Sequence, residues 1–219
     1  LLGQFYFSTT YLIYRIISCG ISCYFQYSAS LSTTCFKIVS TNPSLSLKSQ
    51  FDPYFNFRST KYLIKNGLYA FYNWFDDASW YPLGRIVGGT VYPGIQLTAG
   101  FLYYISRLLH LTIDIRNICV MTGPFFASNT AISMFLLAKE VGGPGVGLLA
   151  AAMISIVPGY ISRSVAGSFD NEAVAIFALV TTFLLWMKSV KTGSVWWTIM
   201  CSLSYFYMVN AWGGYVFII

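Results

Sequence analysis

The sequence predicts an all-α polytopic membrane protein, and two observations carry that class. Hydrophobic residues make up 56% of the 219 and charged residues only 9%, with a mean hydropathy of +0.62. A soluble domain holds roughly 45–50% apolar and about 25% charged residues. The apolar residues also gather in runs, parted by short turns that collect charges and glycines, such as Lys139-Glu140 with Gly142-Gly143-Pro144, and Lys188 to Gly193. The formal charge is +6, but no run or helix face collects the basic residues. That excludes a nucleic-acid footprint and leaves membrane lipid as the expected surroundings. The five cysteines (Cys19, Cys23, Cys35, Cys119, Cys201) have no metal-site spacing and read as free thiols in apolar surroundings.

Taken in order, residues 1–27 are the first expected transmembrane helix, long enough to span although Arg15 lies inside. Residues 28–50 are Ser/Thr-rich with Asn42-Pro43 as a turn signal, and read as loop, a divergent splice or a mistranslated stretch. Residues 51–117 form a first external loop with interfacial helices. Its first part, Phe51 to Gly94, is dense in aromatics and mixed charge and too polar to span, so it is expected against the membrane–water interface. Asp52 precedes Pro53, which favours an extended backbone at Asp52; an N-cap Asp with Pro at the first helical position is the alternative. Asp76-Asp77, between Trp74 and Trp80, is expected to cap a turn or face solvent. Val91 to Leu111 holds Arg107 and His110 and is expected to stay on the external side. His110, with no Cys or His nearby, reads as an interfacial residue.

Residues 118–161 hold two expected transmembrane helices, Ile118 to Ala138 and Val146 to Ile161. Residues 162–172 form a second external loop with an acidic motif. Residues 173–219 supply further transmembrane helices, Ala173 to Met187 and Val195 to Val209, then an interfacial turn at Trp212-Gly-Gly-Tyr215 and a last apolar run. Since the chain begins at Leu1 and ends inside that run, it is expected to be a piece of a longer protein.

Chemistry gathers at Arg163-Ser-Val-Ala-Gly-Ser-Phe-Asp-Asn-Glu172. Two carboxylates, Asp170 and Glu172, stand where one apolar run ends and the next begins. Ionisable groups at that depth mark sites for ions, substrates or protons. On an extended backbone, alternate side chains share a face and both could reach one hard cation. Acidic residues favoured by the dipole of the following helix are the competing explanation. The basic turns at Lys139 and at Lys188/Lys191 point to the cytoplasm. Asp170 and Glu172 then fall on the opposite side, and Asp52 joins them there if Val91 to Leu111 does not cross.

Five blocks, in this order, resemble the catalytic subunit of eukaryotic oligosaccharyltransferase: Phe51-Asp-Pro-Tyr-Phe-Asn-Phe-Arg58, Trp74-Phe-Asp-Asp77, Trp80-Tyr-Pro-Leu-Gly-Arg85, Val157 to Glu172, and Trp212-Gly-Gly-Tyr215. The resemblance runs from about Phe51 to the end. It implies a GT-C-type glycosyltransferase transmembrane domain in the endoplasmic reticulum, with a luminal active site. The implied reaction moves an oligosaccharide from dolichyl pyrophosphate to the asparagine of Asn-X-Ser/Thr in proteins, within a complex of further subunits. Asp52, Asp170 and Glu172 match acids that hold Mn²⁺ or Mg²⁺, and Arg163 matches a basic residue that supports the catalytic site. Asp52 would also accept the N–H bonds of the acceptor amide. Attack opposite the pyrophosphate implies inversion at the sugar.

Gln50 departs from the pattern, standing where the family places an acid. The family's second catalytic acid, its pyrophosphate-binding Arg and the W-W-D-Y-G motif that reads the acceptor are expected beyond Ile219, so these residues alone are expected to be inactive. Two other classes stay open. A transporter could use Asp170 and Glu172 as a coupling-ion site. Another dolichol-dependent GT-C enzyme, such as a protein mannosyltransferase, would lack the Ser164-to-Glu172 block.

Overall fold

The computed structural model describes residues 51–217, with Phe51, Asp52 and Phe217 described by their backbone alone. The helix expected over residues 1–27, the stretch 28–50 with Gln50, and the last two residues lie outside that range.

Helix α1, Phe51–Tyr72, opens the first loop and breaks at Gly67, whose φ of 82° and ψ of 173° leave the helical region. A positive φ costs glycine nothing, so the break falls there. Asn56, Ser59, Thr60 and Leu63 are all buried and spaced as one helical face. The helix starts at Phe51 and takes Asp52 with it, so the extended backbone expected at Asp52 is not what forms. Pro53 falls in the first turn, where a helix has no partner for its N–H groups anyway, and the missing donor does no harm.

A short antiparallel hairpin follows, β1 (Phe75–Asp76) with β2 (Arg85–Ile86), pairing Phe75 with Ile86 and Asp76 with Arg85. Asp76 is fully buried rather than solvated. Its carboxylate accepts from Arg58 Nη2 at 2.7 Å, from the Ala78 N–H at 3.2 Å, and from the Ser79 hydroxyl. Asp77 is the exposed member of the pair. Leu63, Phe71 and Val87 close a small core between hairpin and helix, with Tyr62 stacked on Trp74 at 4.0 Å.

Helix α2, Gly94–Leu108, then lies against α1 and leads to a bundle of α3 (Ile115–Gly142), α4 (Pro144–Ile156), α5 (Pro158–Ser164), α6 (Asn171–Thr192) and α7 (Val195–Ala211), with a 3₁₀ turn over Gly213–Phe217. By length and composition, α3 and α6 can each cross a membrane. α4 and α5 form an elbow of 61°, where the sequence suggested one straight span over Val146 to Ile161. Val157 (φ −58°, ψ 118°) leaves the helix because Pro158 crowds the residue before it, and Pro158 then starts α5 at its first turn.

α4 runs close against α3. A Cβ on Gly147 would stand 2.8 Å from the Phe135 carbonyl oxygen, so only glycine admits this approach. Hydroxyls tie the helices together, Ser133 to Thr181 at 3.2 Å and Thr182 to Ser204 at 2.9 Å. At one end of the bundle Lys191 Nζ meets Glu140 Oε2 at 3.2 Å, which brings the α3–α4 and α6–α7 turns together. The main core lies toward the other end, where Ile95 and Ala99 of α2, Cys119 and Phe126 of α3, Phe169, Val174 and Ala175, and Ala211 of α7 pack together.

Candidate active site

The site is built where α5 hands over to α6. After Ser164 the chain extends at Val165, and Gly167 takes a φ of 96°. The Gly167 N–H donates to the Val120 carbonyl at 3.3 Å, holding the loop on α3. Phe169 is wholly buried in the main core, which anchors the residue next to Asp170. Asp170 is the N-cap of α6, with an extended backbone (φ −122°, ψ 149°), and its Oδ1 accepts the Asn171 N–H at 2.7 Å. Glu172 lies in the first turn of α6.

Arg163, in the last turn of α5, straddles both acids. Its Nη1 donates to Asp170 Oδ2 at 3.0 Å, and its Nε lies 3.1 Å from Glu172 Oε2. Asp170 and Glu172 thus converge on a single cationic group. The convergence needs an extended backbone only at Asp170, not along the whole triplet. The helix-dipole explanation holds at the same time, since both negative charges sit at the positive end of a 22-residue helix. Side-chain exposure is 15% for Asp170, 29% for Glu172 and 49% for Arg163, so the cluster opens at the surface rather than lying inside the bundle.

Helix α1 is fastened to the same loop. The Asn56 amide donates from Nδ2 to the Phe169 carbonyl at 3.1 Å. Its Oδ1 accepts from Gln96 Nε2 of α2 at 3.2 Å, and that nitrogen also lies 3.4 Å from Ser59 Oγ. Position 52 precedes position 56 by one helical turn on the same face. The backbone that carries Asp52 is thereby docked on the loop that carries Asp170. The contacts of the Asp52 side chain lie outside what the structure describes.

Among the described residues no three His, Cys, Asp or Glu side chains stand together as a metal site. The donor set suits a hard divalent cation, since Asp170 and Glu172 supply carboxylate oxygens that already meet at one positive point.

Asn56 and Gln96 went unnoticed in the sequence. The available signal was the helical spacing of Asn56, Ser59, Thr60 and Leu63, which sets polar side chains on a buried stripe. His110 is exposed after α2 with a φ of 56°.

Comparison with known proteins gives the wider setting. The family model described as oligosaccharyl transferase STT3, N-terminal, matches residues 12–219. The dolichyl-diphosphooligosaccharide–protein glycosyltransferase subunit STT3 of Dictyostelium discoideum is 58% identical over 193 residues, covering 88% of this chain and 27% of the relative. The corresponding subunit stt-3 of Caenorhabditis elegans is 58% identical over 174 residues, covering 80% of this chain and 23% of the relative. The Arabidopsis thaliana subunit STT3B is 58% identical over the same length, covering 80% and 24%. The chain therefore spans about a quarter of the length of these relatives. Among solved structures, the archaeal oligosaccharyltransferase AglB from Archaeoglobus fulgidus, in complex with an inhibitory peptide and a dolichol-phosphate, superposes with a TM-score of 0.62 at 18% identity. It matches 87% of this chain and 24% of its own. The helical membrane fold expected from the sequence is shared with that enzyme.

Proposed function

We propose, since the chain belongs to the oligosaccharyl transferase STT3 family, that the protein it represents transfers an oligosaccharide from a dolichyl diphosphate carrier to the asparagine of Asn-X-Ser/Thr in polypeptides. The setting is the endoplasmic reticulum membrane, with the acids on the luminal face and other subunits alongside. The observation that carries this reading to particular atoms is Arg163 holding Asp170 and Glu172 together at the head of α6.

The residues divide the work. Asp170 uses one oxygen to cap α6 and leaves the other turned toward Arg163, so its direction is set by the helix itself. Arg163 offsets the repulsion of two neighbouring carboxylates and keeps them aimed at one point. Asp52, with Asp170 and Glu172, would hold Mn²⁺ or Mg²⁺, which when bound supplies positive charge where the diphosphate leaves. Asp52 would also accept the N–H of the acceptor amide, orienting a poor nucleophile and freeing its lone pair from conjugation. Attack from the side opposite the diphosphate inverts the sugar carbon.

The test uses the full-length protein in its complex. Asp170→Asn is expected to lower transfer by about 10- to 100-fold, the range typical for a residue that orients or holds a metal, and excess Mn²⁺ is expected to restore part of it. Wild-type rates in the Asp170→Ala, Glu172→Ala double variant would refute the assignment of these acids.

A further inference from the structure

We infer that Asn56 is a positioning residue, whose amide sets the first turn of α1, and with it position 52, against the loop that carries Asp170 and Glu172. The inference rests on the transfer reading above. Asn56 is 5% exposed and both ends of its amide are engaged. The donor end reaches the Phe169 carbonyl, 113 residues away and directly before Asp170. The acceptor end takes the Gln96 N–H, so α2 holds the amide in the orientation that points its donor at the loop. Gln96 is itself wholly buried, and its Oε1 has no partner among the described residues. Its fixed role is thus on the nitrogen side, where Asn56 and Ser59 receive it.

The chemistry restricts position 56 to a side chain with a donor and an acceptor on one short stem. Aspartate would set an oxygen against the Phe169 carbonyl, and leucine would leave that carbonyl unpaired. Two fastenings secure the rest of α1 without Asn56: the Arg58–Asp76 ion pair at 2.7 Å and the Leu63, Phe71 and Val87 core. Loss of the amide therefore releases the turn that carries position 52 while the remainder of the helix stays docked.

The experiment compares Asn56→Ala with Thr60→Val in the full-length protein within its complex. Thr60 is buried one turn further along, and its hydroxyl donates to the Asn56 carbonyl inside α1. It controls for loss of a buried hydrogen bond without loss of the tie to Phe169. Spin labels on cysteines at Tyr54 and Val165, both exposed, report the α1-to-loop distance, and initial rates give kcat and the KM for an acceptor peptide. In Asn56→Ala the distance distribution should broaden and kcat should fall about 10- to 100-fold, as misplacement of a reacting group by about 1 Å does, with KM within about twofold of wild type. Thr60→Val should keep both the narrow distribution and kcat. An active wild type with an unmoved distribution in Asn56→Ala overturns the role of Asn56. So does a broadened distribution with an unchanged kcat, or an equal response in Thr60→Val. Absence of transfer by the wild-type complex sinks the transfer reading instead.

Discussion

Asp76 and Asp170 each accept one backbone N–H and one guanidinium N–H, and yet they answer to different demands. Asp76 is fully buried and also holds the Ser79 hydroxyl, so it welds the hairpin to α1. Asp170 keeps 15% of its side chain open beside a half-exposed arginine. Asp76→Ala should cost about 1–3 kcal/mol, the range for stranding hydrogen-bond partners, because the Arg58 it abandons is 37% exposed and turns to water. Arg163→Gln should cost less than about 1 kcal/mol, since a pair so exposed is well screened. It should nonetheless slow transfer by about 10-fold or more, by freeing Asp170 and Glu172 to diverge. Melting temperatures and initial rates of the two variants separate these outcomes; a large loss of stability in Arg163→Gln with normal transfer would reverse the assignment. Arg163, Asp170 and Glu172 were legible in the sequence because ten consecutive residues carry them. Asn56 and Gln96 were not, because their partners are remote: Asn56 meets Phe169 across 113 residues and Gln96 across 40.

Helices meet closely here where glycine stands, and the contacts differ in how much they tolerate. A Cβ on Gly94 would lie 2.5 Å from the Ala211 Cα, so the start of α2 rests directly on the end of α7. The nearest atom to a Cβ on Gly100, within the same helix, is the Leu63 Cδ2 at 3.8 Å. Gly94→Ala should therefore destabilise by about 1–3 kcal/mol through overpacking. Gly100→Ala should stabilise by roughly 0.5–1 kcal/mol through lower chain entropy in the unfolded state. Thermal melts of the two single variants in the full-length protein check the contrast, and equal destabilisation would show that Gly100 is as tightly placed as Gly94. The apolar runs announced the helices of the bundle, but Pro53 and Pro158 were harder to place. Pro53 sits inside a first turn and leaves α1 intact, whereas Pro158 breaks an apolar run into α4 and α5. Pro124 lies inside α3 and that helix runs on past it, so the residue type alone does not decide the effect.

The Lys191–Glu140 contact gathers two turns at one end of the bundle, and Asp170 stands at the far end of α6. At 1.5 Å per residue those 22 residues separate the two ends by about 33 Å, roughly the hydrocarbon thickness. The 15 residues of α2 reach only about 22 Å. That length, with Gln96 buried and Arg107 in the last turn, favours a helix that does not cross. Single cysteines at Thr90 and Thr112, in a full-length background whose native cysteines are replaced by serine, should both react with an impermeant maleimide from the same side. Reaction from opposite sides would set Asp52 and Asp170 on different faces of the membrane. Charge and the parity of the apolar spans suggested this sidedness in the sequence. The depth of each group could not be read there, because depth depends on where helices bend and on what they rest against.

The elbow at Val157-Pro158 turns that depth into an altitude. α5 is seven residues long, roughly 10 Å, and at 61° to α4 it climbs only about half of that along the axis of α4. A straight helix would lift Arg163 roughly 5 Å higher, more than the length of an ion pair, and past the carboxylates it now straddles. Pro158 touches neither acid in any described hydrogen bond or ion pair, but it acts as the stop on a ruler. Its loss would leave each helix intact and deliver the positive charge to the wrong height.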